Sequence, residues 1–231
     1  MELIPEENWM KKSWQLLILT LFSVGVASAS MIPCTITGTG AGGALTAATV
    51  VTCNTLTFDQ FGVPNFTGSA LGTIYILASS SNYDTVTNSV DLAFNPALTA
   101  NGDEEFIFRV SGGISQIDLT VAGTGGSITE RACANPIATT GSHSFVCTDS
   151  TGTVVVAPLA QLTVGSNSSA VSAIFNATSP VYIFKDIQTV GANSQLTEFT
   201  QSFEIPEPLT MALLGSGLLC LGLLSRRSRK N

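Results

Sequence analysis

Residues 105–121 read EFIFRVSGGISQIDLTV, and this stretch decides the fold class. Two short runs, Glu105–Val110 and Gln116–Val121, stand about five residues apart around Gly112-Gly113, a spacing that predicts a hairpin. In the second run Asp118 and Thr120 alternate with Ile117, Leu119 and Val121. That period-two pattern predicts one wet and one buried face. Outward from this pair the chain is rich in Thr, Ser, Val, Ile and Gly and shows no helical period. Further strands are expected at Thr46–Thr52, Leu56–Phe61, Thr73–Ser79, Val90–Phe94, His143–Thr148, Thr153–Leu162, Ala170–Asn176, Val181–Asp186 and Thr197–Ile205. The separators are Asn101-Gly102-Asp103, Ser111-Gly112-Gly113, Gly123-Thr124-Gly125-Gly126 and Asn135-Pro136. Many short strands at this spacing predict an all-β, antiparallel β-sandwich occupying residues 30–203 as one domain.

Charge limits the partners of that domain. Between Ser30 and Glu207 stand three basic residues, Arg109, Arg131 and Lys185, against 13 acidic ones, a formal charge of −10. A surface of that sign repels phosphate backbones, which argues against nucleic acid as a partner.

Both ends differ from the middle. Residues 1–29 have the make-up of a secretory signal peptide: Lys11 and Lys12, an apolar stretch from Trp14 to Val26, and Ala27-Ser28-Ala29 as an A-x-A cleavage site. Signal peptidase cutting after Ala29 leaves Ser30 as the mature N-terminus. Glu2, Glu6 and Glu7 carry the wrong charge for a signal, so translation is expected to begin at Met10. Four cysteines, Cys34, Cys53, Cys133 and Cys147, lie in the exported part. They allow three connectivities; nearness favours Cys34–Cys53 and Cys133–Cys147, each closing a loop worth about 3 kcal/mol.

The C-terminal segment 204–231 contains three zones in fixed order. Pro206-Glu207-Pro208 is stiff and extended, because proline restricts both its own φ and the residue before it. An uncharged apolar run follows from Leu209 to Leu224. At helical rise it spans about 24 Å, and with Ser225 and snorkelling arginines it suffices for a single transmembrane helix over 209–225. The basic end 226–231, with Arg226, Arg227, Arg229 and Lys230, stays cytoplasmic and leaves the body outside.

This tail resembles the PEP-CTERM sorting signal. Pro206, Glu207 and Pro208 stand in the motif positions, the apolar run matches the span, and the arginines match the basic end. The resemblance covers about the last tenth of the chain. It implies recognition by an exosortase, a membrane-embedded cysteine transpeptidase, removal of the span, and a Gram-negative organism making extracellular polysaccharide. The expected role is therefore structural or adhesive, in the cell envelope or exopolysaccharide matrix of a biofilm. The body would lie first in the periplasm, anchored at the inner membrane, and then at the cell surface.

Candidate chemistry in the body is thin, and no catalytic residue, metal ligand or cofactor is assigned. Gly38-Thr39-Gly40-Ala41-Gly42-Gly43, followed by Asp59, satisfies G-x-G-x-x-G but lacks a βαβ context, so a loop is expected there. His143 has no G-x-S-x-G partner for a triad. Asp103-Glu104-Glu105 reads as an acidic turn rather than an EF-hand. The alternatives to a structural role are a polysaccharide hydrolase using carboxylates from Asp103, Glu104, Asp118 or Asp149, and a calcium- or glycan-binding module. Both tryptophans, Trp9 and Trp14, fall in the N-terminal segment, which counts against ring stacking on sugars in the body.

Overall fold

A computed structural model describes residues 30–63, 71–141, 144–165 and 170–206. The expected signal helix, His143, the sorting residues Glu207 and Pro208, the transmembrane run and the basic end lie outside these residues. Among the described residues no helix is long and apolar enough to cross a membrane.

The strands in chain order begin with β1 (Met31–Pro33), β2 (Thr35–Thr37), β3 (Val50–Cys53), β4 (Leu56–Gly62), β5 (Tyr75–Ile76) and β6 (Asn82–Asp84). Next come β7 (Ser89–Asn95), β8 (Leu98–Thr99), β9 (Asp103–Ser111), β10 (Ile114–Thr124), β11 (Gly126–Cys133) and β12 (Ile137–Gly141). The last are β13 (Ser144–Thr148), β14 (Val155–Val156), β15 (Ala160–Gly165), β16 (Val171–Thr178), β17 (Val181–Thr189) and β18 (Gln195–Glu204). All pairings are antiparallel. The first sheet runs β1-β6-β7-β18-β10-β16, with β5 on β7 and β8 on β18. The second runs β15-β11-β17-β9-β4-β3-β2, and β12-β13-β14 form a small third sheet.

The two large sheets pack through inward-facing phenylalanines. Phe58, Phe61, Phe106 and Phe108 come from the second sheet and Phe94, Phe199 and Phe203 from the first; none is more than 2% exposed. Rings meet across the interface at 4.9 Å for Phe58–Phe203, 5.6 Å for Phe94–Phe106 and 6.2 Å for Phe108–Phe203. Each such burial is worth roughly 1.5–3 kcal/mol, so this row is a large share of the apolar driving force. The all-β, antiparallel, two-sheet expectation holds.

The hairpin expectation does not. β9 pairs with β4 and β17, whereas β10 pairs with β16 and β18, so the two runs lie in different sheets. Phe106, Phe108 and Val110 enter the core from one side, and Ile114, Ile117 and Leu119 from the other. The change of parity between Ile114 and Ile117 coincides with a register shift between Ile114 and Gln116. Gly112, at φ +118°, makes the corner, and a Cβ there would sit 2.2 Å from the Thr55 carbonyl oxygen. Gly113 is also left-handed, φ +83°, but with open space around it. Gly112→Ala is therefore expected to cost about 2–3 kcal/mol in chemical denaturation, and Gly113→Ala only about 1 kcal/mol.

This switching of sheets repeats. From β9 to β11 and again from β15 to β18, each strand lies in the opposite sheet to the one before it. Local hairpins survive at β2-β3-β4, β6-β7 and β12-β13-β14.

Other boundaries are corrected too. The expected strand Thr153–Leu162 is two strands, β14 in the third sheet and β15 in the second, broken around Pro158, which has no amide hydrogen to donate. Thr46–Thr49 forms a turn, in which the Thr46 amide donates to Thr49 Oγ1 at 2.9 Å, so the strand starts only at Val50. Of Thr73–Ser79 only Tyr75–Ile76 pairs. Asp103-Glu104-Glu105 opens β9 rather than forming a turn.

The cysteines pair as Cys34–Cys53 and Cys133–Cys147, with Cα–Cα distances of 4.6 and 5.3 Å. The first ties the start of the body to β3; the second ties the end of β11 to β13 and so holds the third sheet over the second.

Candidate functional site

Three polar side chains face into the core where apolar ones would be the rule. Val181, Ile183, Lys185 and Ile187 alternate along the inner face of β17. On β11 the inner series is Ile128, Glu130 and Ala132, and the register sets Glu130 directly opposite Lys185. From the first sheet, Gln201 lies between Phe199 and Phe203 on the inner face of β18. Glu130, Lys185 and Gln201 are all 0% exposed.

The three touch one another. The Lys185 side-chain nitrogen donates to Glu130 Oε2 and to Gln201 Oε1 and so bridges the two, while Gln201 Nε2 donates to the Ser202 carbonyl at 3.4 Å. The Lys185 Nζ lies 5.4 Å from the centre of the Phe199 ring, itself stacked on Phe94 at 5.1 Å. Glu130 Oε1 is buried without a hydrogen-bond partner. Loss of hydration pushes the Glu130 carboxyl up and the Lys185 ammonium down, against the attraction between them. Burial thus favours the neutral acid and the neutral amine.

A second group lies on β9 and β17. Asp103, Glu105 and Asp186 bring carboxylate oxygens within 4.8 Å of one another, and each engages other groups as well. Beneath the third sheet, a cleft of about 350 Å³ is lined by Gln60, Ile107, Arg109, Pro136, Ile137 and Tyr182, among others. Arg109 is clamped there by Asp59, with Nε donating to Oδ1 at 2.8 Å and Nη2 to Oδ2 at 2.6 Å. That pairing raises the already high Arg109 pKa.

The residues weighed in the sequence are scattered. Asp118 is on β10, on the outer side of the first sheet, accepting from Gln116 at 3.1 Å. Asp149 caps a turn after β13, accepting from the Thr151 hydroxyl and amide, which lowers its pKa. Glu104 accepts from Thr73 at 3.0 Å. The glycine-rich segment from Gly38 holds one short 3-10 turn, Ala41–Gly43, and no α-helix follows it among the described residues, as a loop requires. Asp59 belongs to the Arg109 clamp rather than to any ribose site.

The interior trio is not evident in the sequence, where Lys185 enters only as one of the three basic residues of the body. The signal was present: in Val181–Asp186 the lysine falls on the Val181 and Ile183 side of the alternation. No family model matches the chain, and no curated protein matches it.

Proposed function

We propose that the protein is an exported structural or adhesive component of the cell surface or its polysaccharide matrix, delivered by its C-terminal tail as an exosortase substrate. The tail carries this reading: a rigid Pro206-Glu207-Pro208, a span of membrane length, and a cationic stop occur in order at one end.

The body supports it at both junctions. Ser30, the expected new N-terminus, is already part of the fold, its amide donating to Thr85 Oγ1 at 3.1 Å. At the other end Ile205 is held by Asn88, whose Nδ2 donates to the Ile205 carbonyl at 2.8 Å, and Pro206 follows at once. The folded body therefore runs up to the first residue of the motif. Both disulfides fit an oxidising compartment outside the cytoplasm.

Replacing Glu207 by alanine, or Arg226, Arg227, Arg229 and Lys230 together by alanine, is expected to strand full-length chain in the inner membrane. Fractionation and surface labelling measure this directly. Variants reaching the surface at normal levels would reduce the tail to a plain anchor or less.

A further inference from the structure

Covalent closure of a lysine on a carboxamide needs four things: an uncharged amine, a carboxamide fixed against it, a group that moves protons between them, and no competing water. The interior trio brings the amine, the carboxamide and a carboxyl group together at 0% exposure. Lys185 is the sole lysine between Ser30 and Glu207, and it sits at 0% exposure between two sheets. Its nitrogen touches both the Gln201 carboxamide and the Glu130 carboxyl group. Phe94, Phe106 and Phe199 wall the site, with ring centres 5.1–6.3 Å apart.

We infer that Lys185 and Gln201 become joined by an intramolecular isopeptide bond, with Glu130 carrying the protons. The Lys185 amine lone pair attacks Gln201 Cδ, forming the new C–N bond, while the carbonyl electrons move onto Oε1 and Glu130 donates its proton there. The intermediate collapses as Oε1 returns its proton to Glu130, the carbonyl re-forms and the Cδ–Nε2 bond breaks. Nε2 takes the proton that Nζ gives up, relayed through Glu130, and leaves as ammonia. One amine and one primary amide give one secondary amide and one ammonia, with no oxidant or cofactor.

The physical case rests on position and dryness. Desolvation keeps an amine nucleophilic, as burial lowers its affinity for a proton. Loss of hydration raises the Glu130 carboxyl's hold on its proton, which suits the group to hold and pass on a proton beside Lys185. Holding reactants in contact replaces an effective concentration of order 10⁵ M or more, which can offset the sluggishness of amides. The unpartnered Glu130 Oε1 is explained too, since an acid that shuttles protons cannot have all its positions committed. The bond would tie β17 of the second sheet to β18 of the first, the strand that meets the tail, making the sandwich resistant to being pulled apart at its C-terminal end. This inference does not depend on sorting and can fail or hold separately from it.

The test is mass mapping of the full chain, purified, denatured and reduced. Cleavage after glutamate should leave fragment 199–204, FTQSFE, attached to fragment 131–198 through Lys185 and Gln201, with the pair lighter by one ammonia. Two separate fragments of full mass would overturn the proposal. Loss of one water with Lys185 joined to Glu130 would also overturn it, by assigning the acyl group to the wrong side chain. Glu130→Gln should give the unlinked, full-mass chain; complete linkage in that variant would remove Glu130 from the chemistry. If the variant fails to fold, the map of the unaltered chain still decides.

Discussion

Replacing Lys185 by alanine is expected to destabilise the body by at least about 3–5 kcal/mol, seen as a large drop in the urea midpoint. The substitution leaves the Glu130 carboxyl at 0% exposure without its Lys185 partner, opens a void beside Phe199, and removes the proposed tie between the sheets. A triple replacement separates these causes. Lys185→Met with Glu130→Leu and Gln201→Met exchanges the whole cluster for apolar volume, and a merely ionic cluster would lose little by it. With an isopeptide bond present, the triple variant stays below the unaltered chain by about 3 kcal/mol, the entropy of the short loop closed between residues 185 and 201. Equal stability of the two would mean that the trio is an ordinary buried ion pair.

Phe108→Ala is expected to cost a similar amount, about 3–5 kcal/mol, for a different reason. Its ring contacts Phe61 at 5.4 Å, Phe106 at 5.8 Å, Phe203 at 6.2 Å, Phe94 at 6.3 Å and Phe58 at 6.4 Å, so it touches both sheets at once. Neighbours fixed on five sides cannot collapse into the space left behind. A control on the same scale is Ile174→Ala on the edge strand β16, where the side chain is 78% exposed. That change should fall within about 0.5 kcal/mol of the unaltered chain. Thermal and urea unfolding monitored by circular dichroism distinguish the two.

Much of the fold was readable because burial here is written in period two. Ile117 and Leu119 against Asp118 and Thr120 gave the buried face of β10, and the strand class follows from such runs whatever their partners. Partner choice was not readable. A Gly-Gly pair closes a hairpin or turns a corner with equal ease, and the decision at Gly112 was made by distant strands, β4 and β17 on one side and β16 and β18 on the other. β11 escaped notice for a related reason: Glu130 occupies an inward position in Gly126–Cys133, so its alternation reads as polar until Lys185 and Gln201 are placed beside it. The disulfide pairing is legible in the sequence because short separations, 19 and 14 residues, allow strands near in sequence to meet. The interior site is assembled from three strands of two sheets, and only the tertiary pairing brings its members together.

The account of an exported body delivered by its tail is tested most directly by mass mapping of the mature chain recovered from the cell surface. It predicts Ser30 as the first residue, a C-terminus within or beside Pro206-Glu207-Pro208, and Cys34–Cys53 and Cys133–Cys147 as the disulfide pairs. A water-soluble mature chain that keeps the N-terminal segment, or that still ends in Arg226, Arg227, Arg229 and Lys230, would contradict it.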